Sequence, residues 1–165
     1  MLAHRQPLPE PAALVTEVIL AYLHFAAILT FVWFVAKQWT LLRAGPAALD
    51  LRRLALSDVG VGLAAIGVVA TGVARLAFGA KPLAFYLKNP VFHAKIGLFV
   101  LVGLISIVPT MRILAWRRAH KADPAFRPDE AAWRRVCRCV MIELHGIALI
   151  PLLAVMMARA IGYRP

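Results

Sequence analysis

Four stretches of this chain, residues 18–36, 59–78, 90–111 and 139–158, are apolar over close to twenty residues each. About 20 such residues, coiled as a helix, cross the hydrocarbon core of a bilayer. Lipid offers no partner to free backbone groups, so a stretch of this kind must satisfy them internally as a helix. Arg75 interrupts the second stretch, His93 and Lys95 the third, and Glu143 and His145 the fourth. Over all 165 residues, 62% are hydrophobic and 16% charged, against roughly 45–50% and 25% in ordinary globular domains. The expected fold is therefore all-α, an integral membrane four-helix bundle of up-down topology. It forms a single domain over residues 1–165, since the connections are too short to hold a second one.

Residues 1–12 contain three prolines and are expected to form an extended lead-in. No basic cluster stands directly before the first apolar run, which is also too long for a signal-peptide core, so it is expected to be retained as a span.

The net charge of +11 raises the question of a nucleic-acid partner, but the charges flank the spans. Twelve of the nineteen Lys and Arg residues lie in two loops. Lys37, Arg43, Arg52 and Arg53 fall in residues 37–58, and Arg112, Arg117, Arg118, Lys121, Arg127, Arg134, Arg135 and Arg138 in residues 112–138. By the positive-inside rule both loops are cytoplasmic and both termini outside. Trp33, Trp39, Trp116 and Trp133 fall near the same boundary, as an interfacial aromatic belt does. The expected setting is a bacterial inner membrane, with anionic lipid at the basic cytoplasmic face and no nucleic acid. Cys137 and Cys139 are too few for a zinc site and read as small thiols in a reducing compartment.

Between the first two spans, Gly45-Pro46 breaks the chain and LDLRRLALSD reads as an amphipathic approach with Ser57 or Asp58 as N-cap. The second span is rich in small residues (Gly60, Gly62, Ala64, Gly67, Gly72), which allow close approach by a neighbouring helix or a flat ligand. Asn89-Pro90 suits the start of the third span. Residues 117–135 are expected to be partly helical.

Ionisable residues inside spans are functional candidates by default. Counted inward from the outer boundary, His24 lies roughly 10 Å deep and His93 roughly 7 Å, while His145 lies roughly 21 Å from the outside. YLHFAAILTFV and VFHAKIGLFVL echo each other, which again puts His24 and His93 at similar depth. In an up-down bundle the first and third spans sit on a diagonal of the order of 13 Å. That width admits a porphyrin with its iron held from both sides. Zinc would want further ligands at that depth, and copper stays open. Each histidine also has a plainer reading, a hydrogen bond to a neighbouring helix. Arg75 reaches the outer end of the second span, where it could meet Glu17 or an acidic group of a ligand. His93 and Lys95 are about 200° apart around a helix and so face opposite ways. For His145 a hydrogen bond to a nearby serine, threonine or backbone carbonyl is expected, with proton handling beside Glu143 as the alternative, and His4 and His120 look solvent-facing.

ATGVARLAFG, AFYLKNPVFHAK and the IPLLAVMMAR ending resemble a bacterial family of small four-span membrane proteins known only as a domain of unknown function. More distantly, YLHFAAI, LRRL and FHAK are similar to motifs of the HemJ-type protoporphyrinogen oxidases, membrane proteins that bind haem b. That resemblance matches His24 to their first-span histidine, His93 and Lys95 to the histidine and lysine of their third span, and Glu143 to the glutamate of their fourth-span motif. Ile142 and His145 depart from that last motif, which bears on the oxidase chemistry more than on the haem site. The combined expectation is a b-type haem protein with His24 and His93 as axial ligands. Arg75 and Lys95 lie near the propionates, and the work is electron transfer or oxidation of a porphyrin-like or quinone-like molecule. From a different class, the competing expectation is a cofactor-free accessory or scaffold subunit, packed on a membrane protein partner or on further copies of itself.

Overall fold

The structure, a computed structural model, describes residues 11–79, 82–159 and 161–162. His4 and most of the lead-in lie outside the described residues. Four long helices, α1 (Pro11–Leu42), α2 (Leu51–Phe78), α4 (Pro90–Ala122) and α5 (Glu130–Ala158), are joined by a short one, α3 (Leu83–Leu87). Each long helix is long and apolar enough to cross a membrane. At 32 residues α1 is about 48 Å long, so it outreaches the roughly 30 Å hydrocarbon core.

Helix starts are set by side chains. Asn89 accepts from the Val91 amide ahead of Pro90 in the first turn of α4, and Asp129 accepts from the amides of Ala131 and Ala132 at the head of α5. Asp50 accepts from the Arg53 amide and caps α2. This corrects the expected cap at Ser57 or Asp58. The approach and the second span form one continuous helix, because Asp50 satisfies the orphan amides seven or eight residues earlier. The loop before it turns at Gly45, whose φ of +83° lies in the region that side chains disfavour.

The long helices close into a ring in which α1 packs on α2, α2 on α4, α4 on α5 and α5 on α1. This puts α1 and α4 on one diagonal. The directions alternate: His24 of α1 meets Thr71 of α2, while Gln38, a few turns on, meets Asp58. Small residues let the helices come close. The Phe34 ring fills the space a side chain at Gly60 would need, and Val102 does the same at Gly146.

The solvent-excluded core sits toward the end where the basic loops lie, here called the basic end. Val35, Leu42, Leu54, Ala55, Ile113, Val136 and Val140 are fully buried there. Trp133 Nε1 donates to the Leu42 carbonyl at 3.1 Å and Arg127 Nε to that of Ala47 at 3.3 Å, tying the two basic connections together. Elsewhere the helices turn large apolar side chains outward, Leu63 at 65% and Ile66 at 66% exposure among them. Such a surface suits lipid rather than water. His120 is half-buried rather than solvent-facing, and its Nδ1 is shielded.

Candidate functional site

Two polar constellations interrupt the apolar bundle, one toward each end. The first begins with His24. Its Nδ1 lies 2.9 Å from Thr71 Oγ1, and the Thr71 hydroxyl itself donates to the Gly67 carbonyl at 2.7 Å. A hydroxyl has one proton to give, so Nδ1–H of His24 is the donor of the pair. In that tautomer Nε2 carries the lone pair, the arrangement that prepares a histidine for metal ligation. Gly72 leaves the ring room: a Cβ there would stand 3.4 Å from His24 Cε1.

Arg75, one turn beyond Thr71 on α2, and Lys95 of α4 both lie within electrostatic reach of His24 and of each other. Among the described residues no carboxylate pairs with either cation, and Glu17 does not make the ion pair with Arg75 that its position allows. Lys95 Nζ instead sits 5.5 Å from the centre of the Phe92 ring. Three helices thus bring His24, Thr71, Arg75 and Lys95 together as a cationic site with which, among the described residues, no carboxylate pairs.

His93 is not brought into that group. It is exposed, and its Nε2 donates to the Leu87 carbonyl at 2.9 Å. His93 and Lys95 do face opposite ways, and it is Lys95 that turns inward. Phe92, buried under Tyr86 of α3, sets this rotation, since its ring occupies the inward position beside His93. The echo between the two histidine segments therefore does not extend to their orientation. A porphyrin held from both sides would need Nε2 of His24 and an inward His93. The first is met; the second is not met in this rotation of α4.

Sequence reasoning did not find the second constellation as a unit. Asp58, taken there for a cap, is buried inside α2, and its Oδ1 accepts from Gln38 Nε2 of α1 and Thr110 Oγ1 of α4, both at 3.0 Å. Glu143 of α5 faces the same interior and is felt electrostatically by Asp58, while Ser57 donates to the Phe34 carbonyl at 3.0 Å. The available signal was the polar residue at each of these positions, but Gln38 and Asp58 stand at the edges of apolar runs and read as loop residues. His145, two residues after Glu143, is exposed and donates through Nδ1 to the Met141 carbonyl at 2.7 Å, so the two side chains work apart. Cys137 and Cys139 are free and half-buried. Among the described residues no group of three or more His, Cys, Asp or Glu side chains could hold a metal ion.

No curated protein and no solved structure matches this chain. The family described as predicted membrane protein (DUF2214) matches residues 16–162, nearly the whole chain, and the four apolar helices agree with that description: the protein belongs to this family.

Proposed function

We propose that this integral membrane protein binds a b-type haem between its helices at the end opposite the basic loops and acts in electron transfer or in oxidation of a porphyrin-like or quinone-like molecule. The observation that carries this reading is the hydrogen bond between His24 Nδ1 and Thr71 Oγ1, which in the Nδ1–H tautomer frees the Nε2 lone pair. Haem would supply a one-electron couple. His24 would hold the iron, and Arg75 and Lys95, which pair with no carboxylate among the described residues, would meet the propionates. His93 is the second axial ligand in this reading. It can serve only if the first turns of α4 rotate and its bond to the Leu87 carbonyl breaks, so His24 bears most of the weight. The distant similarity to HemJ-type oxidases points the same way. We place the protein in a bacterial cytoplasmic membrane, with the basic end cytoplasmic and facing anionic lipid.

The outward His93 favours a second reading, a cofactor-free accessory or scaffold subunit whose exposed faces pack on a membrane partner or another copy. A reduced-minus-oxidised absorbance spectrum of protein expressed with ample haem separates the two. A haem band that His24→Ala abolishes is expected. A band that shifts or disappears in His93→Ala as well identifies bis-histidine ligation. No band in the unmodified protein overturns the redox reading and leaves the accessory subunit.

A further inference from the structure

We propose that Asp58 and Glu143 form a buried proton-binding site in the basic half of the bundle, with the proton carried on Glu143. The two carboxyls come from α2 and α5 and are 5% and 1% exposed. Their surroundings differ in kind. Asp58 Oδ1 accepts two hydrogen bonds, from Gln38 Nε2 and Thr110 Oγ1, which is the environment of an anion. Glu143 Oε1 is buried with no partner. A charged carboxylate left without a donor in a low-dielectric interior is strongly disfavoured.

No group packed around Glu143 supplies a neutralising cation. The α1 and α4 residues that meet its neighbour Asp58, Gln38 and Thr110, are both uncharged. On α5 the Cys139 thiol lies within electrostatic reach. Lys37, Arg112, Arg138 and His145 are exposed, and among the described residues none of them pairs with either carboxyl. One proton for the two carboxyls removes the like-charge repulsion, and it belongs on the member that has no donors.

The site also has access. Thr110, whose hydroxyl rests on Asp58, lines a cavity of about 110 Å³ with Ser106, Phe31, Val61, Val102 and Phe99. That volume holds several waters, and the two hydroxyls give them polar partners. The cavity therefore reaches the Asp58 side of the pair through the Thr110 hydroxyl. This inference stands whether or not the protein binds haem.

Infrared spectroscopy of the protein in lipid bilayers at neutral pH tests it, because the carbonyl stretch of a protonated carboxyl stands clear of the amide and carboxylate bands. Expected is one such band, which shifts when glutamate carboxyls carry ¹³C and stays in place when aspartate carboxyls do. It is lost in Glu143→Gln and kept in Asp58→Asn. No band in the unmodified protein, a band that follows labelled aspartate, or one that survives Glu143→Gln overturns the proposal. The labelling needs no substitution, so a variant that fails to fold leaves the test intact.

Discussion

Gln38, Asp58 and Glu143 are buried between the four long helices, whereas His24, Arg75 and Lys95 stand in a more open part of the bundle and are each only half-buried. In the basic half, polar groups meet across helices and bond to one another, and the connections are tied by Trp133 and Arg127. In the histidine half, polar groups also meet across helices, but two cations and an imidazole gather with no paired carboxylate among the described residues. The contrast teaches that the basic half holds its polar groups inside a packed scaffold, with Glu143 Oε1 left unpaired there, while the histidine half gathers cations in a more open setting. A bonded polar network rigidifies a fold; an unneutralised cationic one invites a ligand.

The sharpest way to break this comparison is to hollow out each half in turn. Leu54→Ala, at a fully buried position near the basic end, is expected to cost about 2–5 kcal/mol. Leu101→Ala, at a position 53% exposed, is expected to cost well under that. Reversible unfolding in mixed micelles measures both, and equal losses would abolish the distinction. Next in size is Gly60→Val, which must displace the Phe34 ring and is expected to cost about 1–3 kcal/mol. Gly62→Val, on the same helix with open space where its side chain would go, serves as the control and should change little.

Smaller in stability, but aimed at the open half, is Thr71→Val. Without the hydroxyl to fix its tautomer, His24 is expected to hold haem about 10- to 100-fold more weakly, read by titration followed in absorbance, while stability falls by about 1 kcal/mol. If haem binding is unaffected, Thr71 does not prepare the ligand. Smallest is His145→Ala, an exposed side chain bonded only to its own helix. It is expected to stay within about 0.5 kcal/mol of the parent in the same unfolding assay. A larger loss would mean that the basic-half network reaches further than Glu143.

How far the sequence could be read differs between these halves for a physical reason. The histidine half was legible residue by residue, because His24, Arg75, His93 and Lys95 are rare types deep in apolar runs. Their orientation was not. Helical spacing separates His93 from Lys95 by about 200° but cannot say which of them turns inward, and the bulk of Phe92 under Tyr86 settles that. The basic-half network was visible only in Glu143. Asp58 looked like a cap because it stands where hydropathy rises, and Asp50, eight residues earlier, does the capping.

The sequence by itself determined that this is a membrane protein of four long helices. Bilayer thickness and the need of every backbone amide for a partner leave an apolar twenty-residue stretch almost no other choice. It also determined which end is basic, since the charges flank the spans. Only the tertiary structure decided which polar side chains meet. Gln38, Asp58, Thr110 and Glu143 are scattered over more than a hundred positions of the chain, and His24 and Thr71 lie 47 apart. Helices of similar apolar character can pack in many rotations, and the close approaches at Gly60 and Gly146 select the one that brings these groups together.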